Sequence, residues 1–379
     1  QMISVTKWQV NQERKETRVI WNSRAMTRKT VFLIRDMPVF TSLAEDTQKA
    51  YPDYFEDSDE ELEDQKIRNS DNLLIAGRIE EEECGLDIYV YDEQNYNLYP
   101  HHEIMLTSFP VALEWLGCDF QSVEQSTIPR ANFCIVGMMT PDIEIWNLDQ
   151  KEPVEPSFVF SGKGAHSDAV TALALHKVRL NVLCSSSADK TLKVWDLQSL
   201  TSLASFKVSN NLIQGLAWDL NEESNIFCHG EGDWFTKFDI RQAKPVWSIN
   251  LGVNIESFAQ SSTNSFEVFL GDDNGFISVL DLKTNKLIQS KKIKAHDKSI
   301  TNLSVSNNGH LVSSSLDSFI KIYETSALGK ITEQLTSGES LLSGSLSPDN
   351  PCIYACGSSI GEPIVWNYTN DISEKTTNK

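Results

Sequence analysis

A histidine, a serine and an aspartate, the residue types of a hydrolytic triad, occur within one short part of the chain. His166 precedes the segment LCSSSADKTLKVWDL, which contains Ser185, Asp189 and Trp195. In a nucleophilic enzyme, the serine attacks, the histidine takes its proton and the aspartate orients the histidine. The same residue types also form hydrogen-bonded chains that satisfy a buried indole N–H. Both interpretations remain open at this point, with either Ser185 or Ser186 as the serine.

A second copy of this set favours the structural interpretation. His296 is followed by Ser313 or Ser314 and by Asp317, and Tyr323 stands where the first copy has tryptophan. A reaction needs only one active site, whereas a structural bond network is expected in every copy of a repeat. We therefore interpret both sets as networks that hold strands together. We predict no enzymatic activity, no cofactor and no metal site.

The wider repeat defines the fold. Seven apolar strand patterns end in an aromatic or large apolar residue followed by a polar one, and the gaps between these ends are 55, 49, 43, 42, 43 and 43 residues. The end residues are Tyr91, Trp146, Trp195, Phe238, Leu280, Tyr323 and Trp366. A period of about 40–45 residues is typical of four-stranded propeller blades. The sequence predicts an all-β protein with a seven-bladed WD40 β-propeller over residues 70–370.

Charge is unevenly distributed along the 379 residues, whose net charge is −20. We interpret residues 1–44 as a basic arm, 45–69 as an acidic linker and 371–379 as a tail. An acidic propeller favours basic partners and argues against a large nucleic-acid surface on the folded part. The arm leaves two roles open. It lies on RNA or another protein, or its apolar run VFLI supplies a strand that closes the ring.

Several residues are candidates for partner contacts. In the arm these are Arg14, Arg18, Trp21, Arg24, Arg28 and Lys29. Glu81 and Glu82 lie in a turn that is either a solvated loop or a contact for a basic partner. Trp234, in the turn GDWF, is either an anchor or packed on its own blade. Ser58 precedes three acidic residues and is a candidate site for an acid-directed kinase.

Several longer strings resemble one family of WD-repeat proteins. These are SDNLLIAGR, LDIYVYD, YPHHEIMLTSFPVALEWL, MMTPDIEIWNLD and HSDAVTALALHKVRLNVLCSSSADKTLKVWDL, which together cover about residues 71–200. They are similar to the periodic tryptophan protein 1 family, as is the opening MISVTKW.

The resemblance implies a nuclear, largely nucleolar factor without catalytic residues. It further implies a scaffold in biogenesis of the large (60S) ribosomal subunit that docks on pre-ribosomal proteins and rRNA. Histone-tail binding and regulation of ribosomal DNA are the alternative. Neither a membrane nor a small-molecule substrate is expected as a partner.

Overall fold

Seven antiparallel sheets form the structure, a computed structural model that describes residues 32–36, 72–80, 83–119, 131–150, 153–336, 338–359 and 363–369. Each sheet is one blade, and its strands follow chain order from the inner strand to the outer strand. The seven-bladed propeller predicted from the repeat is therefore confirmed.

The first four blades account for strands β1 to β16. The first contains β1 (Phe32–Asp36), β2 (Asn72–Glu80), β3 (Glu83–Asp92) and β4 (Asn97–Met105). The second contains β5 (Pro110–Leu116), β6 (Phe133–Met138), β7 (Ile143–Asn147) and β8 (Phe158–Phe160). The third contains β9 (Val170–Leu175), β10 (Val182–Ser187), β11 (Thr191–Asp196) and β12 (Thr201–Lys207). The fourth contains β13 (Ile213–Trp218), β14 (Asn225–Gly230), β15 (Trp234–Asp239) and β16 (Lys244–Asn250).

The last three blades account for strands β17 to β28. The fifth contains β17 (Ile255–Gln260), β18 (Glu267–Asp272), β19 (Phe276–Asp281) and an outer edge formed by β20 (Lys286–Leu287) and β21 (Ile293–Lys294). The sixth contains β22 (Ile300–Val305), β23 (His310–Ser315), β24 (Phe319–Glu324) and β25 (Lys330–Leu335). The seventh contains β26 (Leu341–Leu346), β27 (Ile353–Ser358) and β28 (Ile364–Asn367).

Burial differs between the strands of a blade for a physical reason. All six residues of β14 and of β27 are buried, because a second strand is covered by the blades on both sides. The outer strand β12 instead alternates exposed and half-buried residues, because only one of its faces packs inward. Continuous apolar runs thus mark the middle strands of a blade, and alternation marks its edge.

The hydrophobic core is divided among the contacts between neighbouring blades. Leu73, Ile88 and Trp115 belong to one cluster shared by the first two blades. Leu74 and Tyr91 of the first blade pack with residues of the seventh, including Ile353. This last contact closes the ring through side chains, so each blade is held mainly by its two neighbours.

The strand β1 belongs to the first blade. It pairs antiparallel with β2, with Phe32 opposite Ala76 and Asp36 opposite Asn72. Part of the predicted basic arm is thus a strand of the propeller, which was the second of the two roles left open. However, the strand is the inner strand of the first blade and does not add to the outer edge of the last one. The tail residues 371–379 lie outside the described residues.

All seven cysteines are free thiols. Six are buried, and Cys352 is half-buried. Burial raises the pKa of Cys228 to about 12, which keeps this thiol protonated. The thiols therefore act as small apolar side chains of the core. In the described part of the chain, no helix is long and apolar enough to cross a membrane.

Candidate functional site: bond networks and charged surfaces

The four residues of the third blade lie in one hydrogen-bonded chain. The Nδ1 atom of His166 is 3.0 Å from Oδ2 of Asp189, and its Nε2 atom is 2.7 Å from Oγ of Ser185. The indole N–H of Trp195 donates to the same Ser185 oxygen at 2.7 Å. The serine is therefore Ser185, on β10, and the chain joins the loop before β9 to strands β10 and β11.

Nucleophilic chemistry does not fit this geometry. Ser185 has no exposed surface, and His166 is only 5% exposed. The serine oxygen is held between an imidazole and an indole, so no substrate carbonyl can approach it. A triad also needs donors placed for an oxyanion, and the indole N–H beside Ser185 instead donates to the serine oxygen itself. The arrangement satisfies buried polar groups and fixes the positions of strands.

Asp189 is the residue with most bonds in this network. Its carboxylate accepts hydrogen bonds from the backbone N–H groups of Ser167 and Thr191, at 3.0 and 2.9 Å, and from the Thr191 hydroxyl at 2.6 Å. Burial alone would raise the pKa of Asp189, but the hydrogen bonds from His166, Thr191 and Ser167 outweigh it and hold the pKa well below its usual range. The side chain of Asp189 is thus ionised in the folded state.

The sixth blade repeats only part of the chain. His296 lies 3.0 Å from Asp317 through Nδ1 and 2.8 Å from Ser313 through Nε2. Burial, outweighed by the hydrogen bond from His296, leaves the pKa of Asp317 lowered to about 2. Tyr323 differs from expectation, because its hydroxyl donates to the carbonyl oxygen of Ala295 at 3.4 Å and not to the serine. The hydroxyl of a tyrosine lies farther from the backbone than the N–H of a tryptophan, so Tyr323 bonds a group outside the chain of His296, Ser313 and Asp317.

Other blades contain polar pairs in place of the histidine network, and these pairs were not predicted from the sequence. In the second blade, Trp146 donates its indole N–H to Glu144 at 2.8 Å, and Thr107 donates to the other oxygen of that glutamate at 3.2 Å. In the fourth, the ammonium of Lys237 lies 2.7 Å from the carboxylate of Asp219. The alternation E-x-W in IEIWN was the only signal for the first of these, because residues i and i+2 share one face of a strand.

Turn geometry accounts for the polar residue that follows the strand-end aromatic or leucine in six of the seven blades. Asp239 accepts from the backbone N–H of Arg241 at 2.8 Å, and Asp281 accepts from that of Lys283 at 2.9 Å. The same bond to the residue two positions on is made by Asp92, Asp196, Asn147 and Asn367. Aspartate and asparagine side chains stabilise such turns. The polar residue repeated at this position is therefore a turn signal and not a functional site.

The fifth blade has a buried aspartate, Asp272, at the start of the turn between β18 and β19. The Oδ1 atom of Asp272 accepts from the backbone N–H groups of Asn274 and Phe276, at 3.0 and 2.8 Å. Asp272 is 2% exposed, whereas Asp273 beside it is only half-buried. The turn at Asp272 therefore takes the place of the missing histidine network in this blade.

A buried histidine in the fourth blade predicts a pH-dependent stability. His229 on β14 is 2% exposed, and its ring lies edge-on to Phe258 with centroids 5.4 Å apart. Burial lowers the pKa of His229 to about 4, partly opposed by a hydrogen bond to the backbone of Ile255. An unfolded histidine has a pKa of about 6.5, so the unfolded state binds more protons between these values. This contribution to stability is complete above pH 6.5 and is lost as the pH falls toward 4.

We expect the free energy of unfolding to fall by about 2 kcal/mol between pH 7 and pH 5 through His229. Urea unfolding at several pH values measures this fall, and His229→Gln should have a smaller one because glutamine does not titrate. The same pH slope in the variant and the parent chain would contradict the assignment.

The remaining candidate residues have separate positions. Trp234 is half-buried and donates its indole N–H to the carbonyl oxygen of Glu231 at 3.0 Å, so it packs on its own turn. The six arm candidates, namely Arg14, Arg18, Trp21, Arg24, Arg28 and Lys29, lie outside the described residues, as do Ser58, Glu81 and Glu82. Within the described ranges, no group of three or more histidine, cysteine or acidic side chains is placed to bind a metal ion.

Acidic side chains of the fourth and fifth blades lie at one end of the propeller. Glu231 and Asp233 lie in the turn after β14, and Asp273 lies in the equivalent turn after β18. Burial and then the charge of Asp273 raise the pKa of Glu256 on β17, so these two carboxylates lie within electrostatic reach. We call these four residues the acidic arc. Carboxylates within electrostatic reach of one another favour a cationic neighbour.

Comparison with known proteins agrees with the fold. The model of the family "WD domain, G-beta repeat" matches residues 155–196 and 287–324, which include both histidine networks. Periodic tryptophan protein 1 homolog of Drosophila melanogaster is 29% identical over 75% of the chain and 64% of its own length. Periodic tryptophan protein 1 of Saccharomyces cerevisiae is 32% identical over 65% of the chain and 52% of its own length.

A second group of relatives matches less of the chain. U3 small nucleolar RNA-associated protein 15 homolog of Xenopus laevis is 32% identical over 54% of the chain and 40% of its own length. The chain thus spans about half to two thirds of the length of the two periodic tryptophan protein 1 relatives.

The ring of seven sheets and the repeated histidine–serine–aspartate network define a WD-repeat β-propeller. Within that class, the chain is similar to proteins named periodic tryptophan protein 1. The resemblance of residues 71–200 to the periodic tryptophan protein 1 family, noted from the sequence, is confirmed.

Proposed function

We propose that the chain is a non-enzymatic scaffold in the nucleolus that assists assembly of the large ribosomal subunit. It docks on pre-ribosomal proteins and ribosomal RNA. The observation that carries this proposal is the coincidence of two kinds of relatives on one propeller. One kind is named periodic tryptophan protein 1, and the other is named for association with U3 small nucleolar RNA.

The structure supports a scaffold through the location of its polar groups. The residue types capable of nucleophilic chemistry, such as Ser185 and Ser313, are fully buried and hydrogen-bonded within blades. The loops at both ends of the ring are held on a rigid frame and lie at the surface, where partners contact them. A closed ring keeps such loops at fixed distances from one another, as a platform for several partners requires.

Particle association tests the proposal. The tagged full-length chain is expressed in cells, and extracts are sedimented through sucrose gradients. We expect the chain in fractions that contain precursors of the large subunit, and we expect RNase treatment to release it. Sedimentation with small-subunit precursors would contradict the large-subunit assignment. Sedimentation as a free protein would contradict the role in ribosome assembly.

The basic segment at residues 1–31 is proposed as one docking element. Residues 1–31 contain seven lysines and arginines and two acidic residues, and phosphates bind such segments in a salt-dependent way. Deletion of residues 1–31 should weaken particle association and leave the propeller folded. The deletion has to stop before Phe32, because β1 is a strand of the first blade. Unchanged association would remove the segment from the proposal.

The acidic arc favours one alternative function, binding of a basic histone tail. Removing the charges with Glu231→Gln and Asp273→Asn tests this alternative against the first. If the chain reads histone tails, the variant should bind nucleosomes less well and its sedimentation with ribosomal precursors should not change. Loss of ribosomal association alone would assign the acidic arc to a basic pre-ribosomal protein.

A further inference from the structure

Lysines are concentrated on the outer edge of the fifth blade. Residues 281–298 contain six lysines and two aspartates, within a chain whose net charge is −20. The lysines are Lys283, Lys286, Lys291, Lys292, Lys294 and Lys298. The total charge of the protein therefore conceals a local positive surface.

The backbone arranges these lysines along the full height of the blade. The outer edge consists of β20 and β21, separated by a 3-10 turn at Gln289–Lys291. Lys286 lies opposite Asp281 of β19, and Lys294 lies opposite Phe276. Asp281 lies five positions along β19 from Phe276, so the edge extends over about 17 Å.

The side chains differ in how free they are. Lys291 donates to both carboxylate oxygens of Glu267 at 2.9 Å, and the glutamate balances its positive charge. The other five lysines of the segment are exposed, but Lys294 donates to the carbonyl oxygen of Asn274 and Lys298 donates to that of Leu316 in the sixth blade. The ammonium groups of Lys292 and Lys294 each lie 5.0 Å from the centroid of the Phe276 ring. An aromatic face attracts cations, so this ring holds two positive charges in one place.

Acidic groups near the edge are already bonded within the protein. Asp272 accepts two backbone N–H bonds and is buried. Asp281 accepts the backbone N–H of Lys283 and the hydroxyl of Thr284, at 2.9 and 3.0 Å. Asp297, beside Lys298, is exposed and is the acidic residue of this segment that faces solvent. The exposed edge thus remains positive.

The outer strands of other blades are different. In the described residues, β12 contains a single lysine, Lys207, and β16 contains a single lysine, Lys244. In β25, Lys330 is bonded to Glu333 at 2.8 Å. Lysines also protect exposed sheet edges from pairing with other chains. One or two suffice for that role, as these strands indicate, and the fifth blade exceeds it.

We propose that the lysine edge of the fifth blade, Lys283, Lys286, Lys292 and Lys294, binds the phosphate backbone of RNA. The inference rests on the proposed function, which brings the chain to ribosomal RNA. Lysine ammoniums bind phosphates as point charges, without sequence preference. A row of them about 17 Å long matches a backbone that presents negative charge at regular intervals.

The test uses the purified full-length chain and a fluorescein-labelled RNA of twenty uridines. Anisotropy titrations at several salt concentrations give the affinity and its salt slope. Lys292→Gln with Lys294→Gln removes the two charges at Phe276. The loss of two phosphate contacts should reduce the slope of log K against log salt by about 1.4, which corresponds to roughly 25-fold weaker binding at 0.1 M salt.

The matched control is Lys207→Gln with Lys244→Gln. It changes the net charge equally, on exposed outer-strand lysines of the third and fourth blades, and should retain the parent affinity. Equal weakening in both double variants would show that only total charge matters and would overturn the proposal. Unchanged affinity with new self-association in the Lys292/Lys294 variant would assign the lysines to edge protection.

Two further outcomes separate this inference from its alternatives. If a glutamate-rich peptide displaced the labelled RNA as effectively as unlabelled RNA does, the edge would be assigned to an acidic protein. RNA binding that depends on Lys292 and Lys294, in a chain absent from ribosomal precursors, would retain the edge and remove the proposed function. Particle association without RNA binding through Lys292 and Lys294 would overturn this inference and retain the proposed function.

Discussion

Asp189→Ala should lower the free energy of unfolding by about 3 kcal/mol. The substitution removes the acceptor of His166 and of the backbone N–H groups of Ser167 and Thr191. A buried donor left without a partner costs about 1–3 kcal/mol, and these losses fall on a single turn. Urea unfolding monitored by circular dichroism measures the change. Fluorescence should report it too, since Trp195 shares Ser185 with His166.

Two further variants establish the cause. Asp189→Asn retains an acceptor oxygen and should lose less stability than the alanine variant. Asp297→Ala changes an exposed aspartate of the sixth blade and should have an effect within about 0.5 kcal/mol of zero. Parent-like stability of Asp189→Ala would show that the network does not hold the third blade together.

Gly275→Ala should be at least as destabilising, for a steric reason. Gly275 has φ of +80°, where side chains other than hydrogen are unfavourable, and an added Cβ would overlap the carbonyl oxygen of His296 and lie 2.6 Å from that of Lys298. The backbone cannot shift easily, because the Gly275 oxygen accepts the N–H groups of Ala295 and His296 at 2.9 and 3.0 Å. We expect a loss of more than about 3 kcal/mol.

Gly252→Ala is the control for this prediction. Gly252 has φ of +70°, but nothing lies within 4 Å of an added Cβ. This variant has only the backbone cost of about 1 kcal/mol. The difference between the melting temperatures of the two variants measures crowding alone. Equal losses would show that the clash at Gly275 is relieved by local movement.

The parts of the fold that were predictable from sequence depend on chain-local patterns. The spacing of Trp195, Phe238, Leu280, Tyr323 and Trp366 predicts the later blades, because each blade requires a fixed length of chain. Strands buried on both faces are recognisable by continuous apolar runs, such as NIFCHG in β14. Such features need no knowledge of which residues meet across a sheet.

What sequence reasoning missed depends on pairing between strands and on the sum of charges. The bond of Tyr323 to the carbonyl oxygen of Ala295 follows from side-chain reach and not from spacing. The charge of −20 argues against nucleic-acid binding by the propeller, yet four exposed lysines lie on one blade edge. A total charge is an average, whereas a phosphate chain responds to charges within about 10 Å.

The position of β1 makes the first blade divisible. Its partner β2 begins at Asn72, so residues 37–71 connect two strands that lie side by side. In the fourth blade, the equivalent connection is the six residues 219–224. A cut between 37 and 71 would thus leave a propeller that retains its inner strand only by noncovalent contacts. The protein is therefore suited to reconstitution from two fragments, in which a peptide ending after Asp36 completes a ring that begins before Asn72.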